Sequence, residues 1–204
     1  MKIRFQLMIL SLGVVLMSFT TGSRNIVFFG DSLTAGYGID VSKAYPALIQ
    51  KKLNELEQNY KVVNAGLSGE TTAGGLRRID WLLRSPIDVF VLGLGSNDGL
   101  RGLDLEDTQV NLQQIIDKVK EENPDVKLLI AGMQIPPNLG EDYSNKFREI
   151  YTRLAESNNA ILIPFLLEGV AGEPDLNMQD GIHPNPDGHE IIANTVWETL
   201  ESVL

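Results

Sequence analysis

The sequence predicts a doubly wound α/β fold, and three observations carry that expectation. Five short apolar, β-branched runs alternate with five helical patterns from Asn25 to the C-terminal end. The apolar runs are continuous instead of alternating, as in strands buried on both faces of a parallel sheet. Polar, chemically capable residues follow the strands, at the edge where such sheets bind ligands.

The first strand is expected over Ile26–Phe29, ahead of Gly30-Asp31-Ser32-Leu33. A helix follows at Ala44–Glu57, with Pro46 suited to its first turn. The second strand, Lys61–Asn64, leads into Ser68-Gly69 and a helix over Thr72–Leu83. The third, Ile87–Leu94, precedes Ser96-Asn97-Asp98 and a helix at Leu105–Glu122. The fourth strand is Val126–Gly132, followed by a helix at Asp142–Ser157 and a fifth strand at Ala160–Pro164. The last helix, Pro186–Leu200, has Asn185 as N-cap, proline in its first position and Asp187 favourable to the helix dipole. Asp180 and His183 fall in the loop before it. No internal repeat, low-complexity tract or linker breaks the pattern, so residues 23–204 read as one domain.

The N-terminal residues stand apart from this pattern. Lys2 and Arg4 precede an apolar stretch from Phe5 to Phe19, then Thr20-Thr21-Gly22-Ser23. That order is the one a secretory signal requires, and the stretch is short against the roughly 20 residues of a spanning helix. Residues 1–22 are therefore expected to be a signal peptide, with a periplasmic or secreted product and no stable membrane insertion once it is cleaved. An uncleaved anchor is the lesser alternative.

A formal net charge of −10 and the absence of any Lys/Arg run exclude nucleic acid and an anionic membrane surface as partners. No obligate protein partner is evident. Zero cysteines exclude disulfides, thiolate nucleophiles and Cys-ligated zinc, and two histidines are too few for a zinc site.

What remains is the chemistry of an activated hydroxyl. Ser32 sits at a strand end beside Gly30, where the chain can turn and present its hydroxyl. Asp180 and His183, three residues apart in a turn, can face the same way, the carboxylate holding Nδ1 while Nε2 meets the serine. His189 suits a surface position in the last helix better than the role of base. Donors for an oxyanion are at hand in the Ser32 amide, the Gly69 amide and the Asn97 side chain. Asp31 and Asp98 lack the D-x-D pair or phosphate-cradling loop of a metal or phosphoryl site, and read as side chains that hold Ser32 and Asn97 in place.

Taken in order, Gly30-Asp31-Ser32-Leu33, Gly69, Gly95-Ser96-Asn97-Asp98 and Asp180-Gly181-Ile182-His183 resemble the four blocks of the SGNH (GDSL) hydrolase family. The resemblance runs from about Ile26 to Trp197 and is nearest to the thioesterase I / lysophospholipase / arylesterase branch. It implies a three-layer flavodoxin-like fold, a five-stranded parallel sheet with helices on both faces, and no metal or organic cofactor. It also implies Ser32 as nucleophile, His183 as base, Asp180 as its orienting carboxylate, and Ser32, Gly69 and Asn97 as the oxyanion hole.

The substrate would then be a small-molecule acyl ester or thioester. Leu67, Leu100, Leu103, Ile135, Pro136, Pro137 and Leu139 lie in loops that can border the site as an apolar groove. Arg101 is placed to attract an anionic group, and Gly99 and Gly102 to let that loop move. Gly66 and Leu67 depart from what the branch often carries, a change expected to bear on the acyl pocket. A carbohydrate O-deacetylase is the alternative enzyme; a non-catalytic flavodoxin-like binding module is the alternative from another class.

Overall fold

A computed structural model describes residues 22–204 and contains one sheet of five parallel strands, ordered β2-β1-β3-β4-β5. They are β1 (Arg24–Gly30), β2 (Tyr60–Gly66), β3 (Val89–Gly93), β4 (Lys127–Ala131) and β5 (Ile161–Ile163). Helices α2 (Tyr45–Glu55), α3 (Thr72–Leu82), α5 (Leu105–Glu122), α6 (Glu141–Asn158) and α7 (Pro186–Leu200) occupy the spans read from the sequence, with ends shifted by two residues at most. Helix α2 packs on α7, while α3 packs on α5 and α5 on α6, which gives a helix layer on each side of the sheet. The expected signal segment, except Gly22, lies outside the described residues.

Two short helices stand where the sequence reads as loop: α1 (Ser32–Ala35) and α4 (Ser96–Leu100). At four and five residues they are too short for a periodic apolar signal. The expectation of burial on both faces holds for β1, β3 and β4 and fails at the edges. Strand β2 exposes Lys61 and Asn64, and Ile161 of β5 is exposed, because each edge strand has a single neighbour. The core is built from the central strands, with Phe28, Phe29, Phe90, Leu92 and Ile130 fully buried.

The order of strands reverses at β1, which has β2 on one side and β3 on the other. Doubly wound sheets bind ligands outside such a reversal, at the carboxyl ends of the strands. There the register sets Gly30 beside both Gly66 and Gly93. A Cβ at Gly30 would run into Thr34 Oγ1 and Gly93 O, and one at Gly66 into the Ala35 amide nitrogen. The absent side chains let α1 fold back over the strand ends. Asn64 Nδ2 donates to Thr34 O at 2.8 Å and Thr34 Oγ1 lies 2.9 Å from Tyr45 Oη, so the helix carrying Ser32 is bonded from both sides. Gly66 thus explains the packing of α1.

Candidate active site

Ser32 is the first residue of α1, capped by Asp31, whose Oδ1 accepts from the Leu33 amide at 3.0 Å. Its hydroxyl lies 3.0 Å from His183 Nε2, and His183 Nδ1 lies 2.7 Å from Asp180 Oδ2. The carboxylate can only accept at Nδ1, so in the neutral imidazole Nδ1 carries the hydrogen and Nε2 is the acceptor for the serine proton. The other oxygen of Asp180 accepts from the Ile182 and His183 amides, each at 3.0 Å. The His183 amide, then the His183 ring, then the Ile182 amide hold the Asp180 carboxyl down at about 2. The loop itself is pinned: Met178 N–H donates to His183 O at 2.7 Å, and Asn177 pairs with Pro184 in an antiparallel bridge.

Loops after β2 and β3 bring the candidate oxyanion donors to the same edge. Gly69 takes a left-handed φ of +77°, which turns its chain in a way other residues rarely adopt. Asn97 Nδ2 donates to Glu70 O at 3.0 Å, leaving its second hydrogen for another acceptor. Among the described residues neither the Ser32 nor the Gly69 amide donates a hydrogen bond. Asp98 is 2% exposed and binds the start of α3, accepting from the Thr72 amide at 2.9 Å and from its hydroxyl at 2.5 Å. Asp31 is fully buried, and its second oxygen makes no hydrogen bond among the described residues. Burial raises its carboxyl to about 6 despite the Leu33 amide. Both aspartates thus act as bracing for the site loops.

Several expectations need correction. His189 is not a surface histidine: it is 1% exposed, accepts from the Tyr45 amide at Nδ1 over 3.2 Å, and burial pushes its imidazole down to about 4. Arg101 is exposed but engaged, its Nη2 donating to Gly69 O at 3.1 Å and to Asn97 Oδ1 at 3.3 Å. It ties the Gly69 loop to α4. Ile135 belongs to the core, packed where Gly99 leaves room, and Gly99 is a close-packing glycine instead of a hinge. Leu67, Leu100, Leu103 and Leu139 are exposed, as are Pro136 and Pro137, so apolar surface does lie on the loops at this edge. The sequence reading missed Tyr37, whose ring lies 4.5 Å from the His183 imidazole, and the Glu70–Arg78 ion pair behind the oxyanion loop. Among the described residues no group of acidic, cysteine or histidine side chains is arranged to hold a metal ion. A recess of about 400 Å³ lies at the amino ends of the strands, lined by Arg24, Tyr60, Asp88 and Lys127. Its lining includes neither Ser32 nor His183.

Comparison with known proteins agrees with this geometry. Residues 28–191 match the GDSL-like Lipase/Acylhydrolase family. The chain is 38% identical over 194 residues to the esterase TesA of Pseudomonas aeruginosa, covering 95% of this chain and 96% of that one. It is 37% identical over 193 residues to the thioesterase 1/protease 1/lysophospholipase L1 of Escherichia coli K12, covering 94% and 90%. A crystal structure of TesA superposes with a TM-score of 0.85 at 39% identity, covering 89% of this chain and all of that one.

Proposed function

The chain belongs to the GDSL-like lipase/acylhydrolase family and is a serine esterase, and on that premise we propose that Ser32 is its nucleophile, His183 its base and acid, and Asp180 the carboxylate that orients the base. The observation that carries this is the unbroken relay from Ser32 Oγ through His183 to Asp180, at 3.0 and 2.7 Å. Nε2 takes the serine proton as Oγ attacks the carbonyl carbon. The oxyanion accepts hydrogen bonds from the Ser32 and Gly69 amides and from Asn97 Nδ2. On collapse, His183 passes its proton to the leaving oxygen or sulfur, and an acyl-enzyme remains. The same imidazole then activates the water that releases the acid.

The substrates are carboxylic esters or thioesters, including aryl esters, acyl thioesters and lysophospholipids. The exposed Leu67, Leu100, Leu103 and Leu139 favour medium or long acyl chains over acetyl groups. Residues 1–22 act as a cleaved signal, which makes the enzyme periplasmic or secreted; no helix among the described residues is long and apolar enough to cross a membrane. Hydrolysis of p-nitrophenyl esters from acetate to palmitate, with wild type and Ser32→Ala side by side, tests the assignment. Loss of turnover in Ser32→Ala with a maximum beyond acetate is expected. Turnover that survives in Ser32→Ala would remove Ser32 from the mechanism, and a sharp acetate optimum would favour an O-deacetylase.

A further inference from the structure

The ring of Tyr37 lies 4.5 Å from the His183 imidazole, centroid to centroid and tilted by 42°, yet the residue is 50% exposed. Its placement is set by the backbone on both sides. The Tyr37 amide donates to Ser32 O at 3.1 Å, and Gly36 and Gly38 on either side adopt left-handed φ of +76° and +78°. Gly38 lies so close to Met178 that a Cβ would overlap its methyl group, and the Met178 amide in turn donates to His183 O. One short segment is thus tied at one end to the nucleophile and at the other to the loop bearing the base. The ring is held in position with one side open, so a ligand resting on it would meet little ordering cost.

The reaction's stereochemistry says which part of a substrate meets that ring. The leaving atom must come within about 2.6–3.2 Å of His183 Nε2 to receive its proton. The acyl part extends from the other side of the carbonyl carbon. A side chain flanking the imidazole on its open side is therefore placed to meet the leaving group. We propose that Tyr37 is the wall of a leaving-group subsite that favours planar aromatic leaving groups over aliphatic alcohols. The inference rests on the serine-esterase mechanism above and adds a specificity determinant to it. Aromatic pairing beyond simple area burial corresponds to a preference of about two- to ten-fold.

Two butyrate esters, of phenol and of 2,2,2-trifluoroethanol, test this with the purified protein and its Tyr37→Ala, Tyr37→Leu and Tyr37→Phe variants. Each kcat/KM reports acylation, and the steady rate after a burst on p-nitrophenyl butyrate reports deacylation. Tyr37→Ala and Tyr37→Leu should each lower the phenyl-to-trifluoroethyl ratio of kcat/KM by about five-fold. Tyr37→Phe should keep the ratio, and deacylation should be unchanged in all three, because the leaving group has already departed. A ratio that stays constant overturns the proposal. So does an equal fall on both esters with slower deacylation, which would mean the ring only supports His183. If wild type hydrolyses neither ester and takes up no fluorophosphonate, the esterase mechanism itself fails, an outcome distinct from a constant ratio in an active enzyme.

Discussion

Glu70 and Arg78 are paired directly behind the candidate oxyanion loop, with the Glu70 side chain 4% and the Arg78 side chain 26% exposed. The guanidinium also donates to Ala65 O at 2.8 Å and to Gly30 O at 3.3 Å, and it covers the Phe29 ring at 4.1 Å. The Glu70 carbonyl accepts from Asn97 Nδ2 at 3.0 Å. The pair therefore connects the ends of β1 and β2, where Ser32 begins, to the amide that would bind the oxyanion.

Removing Arg78 leaves a nearly buried carboxylate without its partner. Arg78→Ala should destabilise the fold by about 3 kcal/mol and lower kcat more than it raises KM, since the oxyanion donors act in the transition state. Arg78→Lys keeps the charge without the planar fork and should fall between. Urea denaturation and steady-state kinetics check both; a stability loss with kcat intact would make the pair purely structural.

Asp180→Asn removes the charge that fixes the imidazole tautomer while the residue stays on a 39% exposed turn. A loss in kcat on the order of 10³–10⁴-fold is expected, the scale of the same change in a chymotrypsin-type protease. Thermal unfolding should move little. Because the Asp180 carboxyl titrates at about 2, activity lost at pH 4–5 arises from another group.

Two buried groups pull stability in opposite directions between pH 4 and 6.5. Asp31 ionises at about 6 in the fold against 3.8 as its ordinary value, so its burial costs about 3 kcal/mol above pH 6 and the cost fades on acidification. His189 titrates at about 4 against 6.5, so the unfolded chain takes up that proton first and about 3 kcal/mol is lost as pH falls through the same window. Wild-type stability should be nearly flat there. Asp31→Asn should lose stability steadily from pH 6.5 to 4, and His189→Gln should gain it. Parallel denaturation curves for all three proteins would contradict the assignment.

Gly66→Ala places a methyl group on the backbone of α1. Overpacking of this kind costs about 1–3 kcal/mol, and displacement of Ser32 should reduce kcat/KM as well. Normal activity in a stable Gly66→Ala protein would show that α1 has room to move.

The fold was legible where its signal is local. The apolar runs of β1, β3 and β4 and the capped helices α5 and α7 repeat within a few residues, and a chain-wide alternation of strand and helix leaves few topologies. The same order delivered Ser32, Gly69, Asn97 and the Asp180–His183 turn to one sheet edge, since each follows a strand or precedes the last helix.

By itself, then, the sequence determined the class of fold and which polar residues gather at one edge of its sheet. Only the tertiary structure decided what each of those residues touches. His189 became a buried acceptor of the Tyr45 amide across 144 positions. Arg101 became a bridge to Gly69, Gly99 a seat for Ile135, and Tyr37 a neighbour of His183. The physical reason is range: periodicity and caps report on backbone hydrogen bonds a few residues long, whereas these contacts join segments that meet only once the sheet has formed.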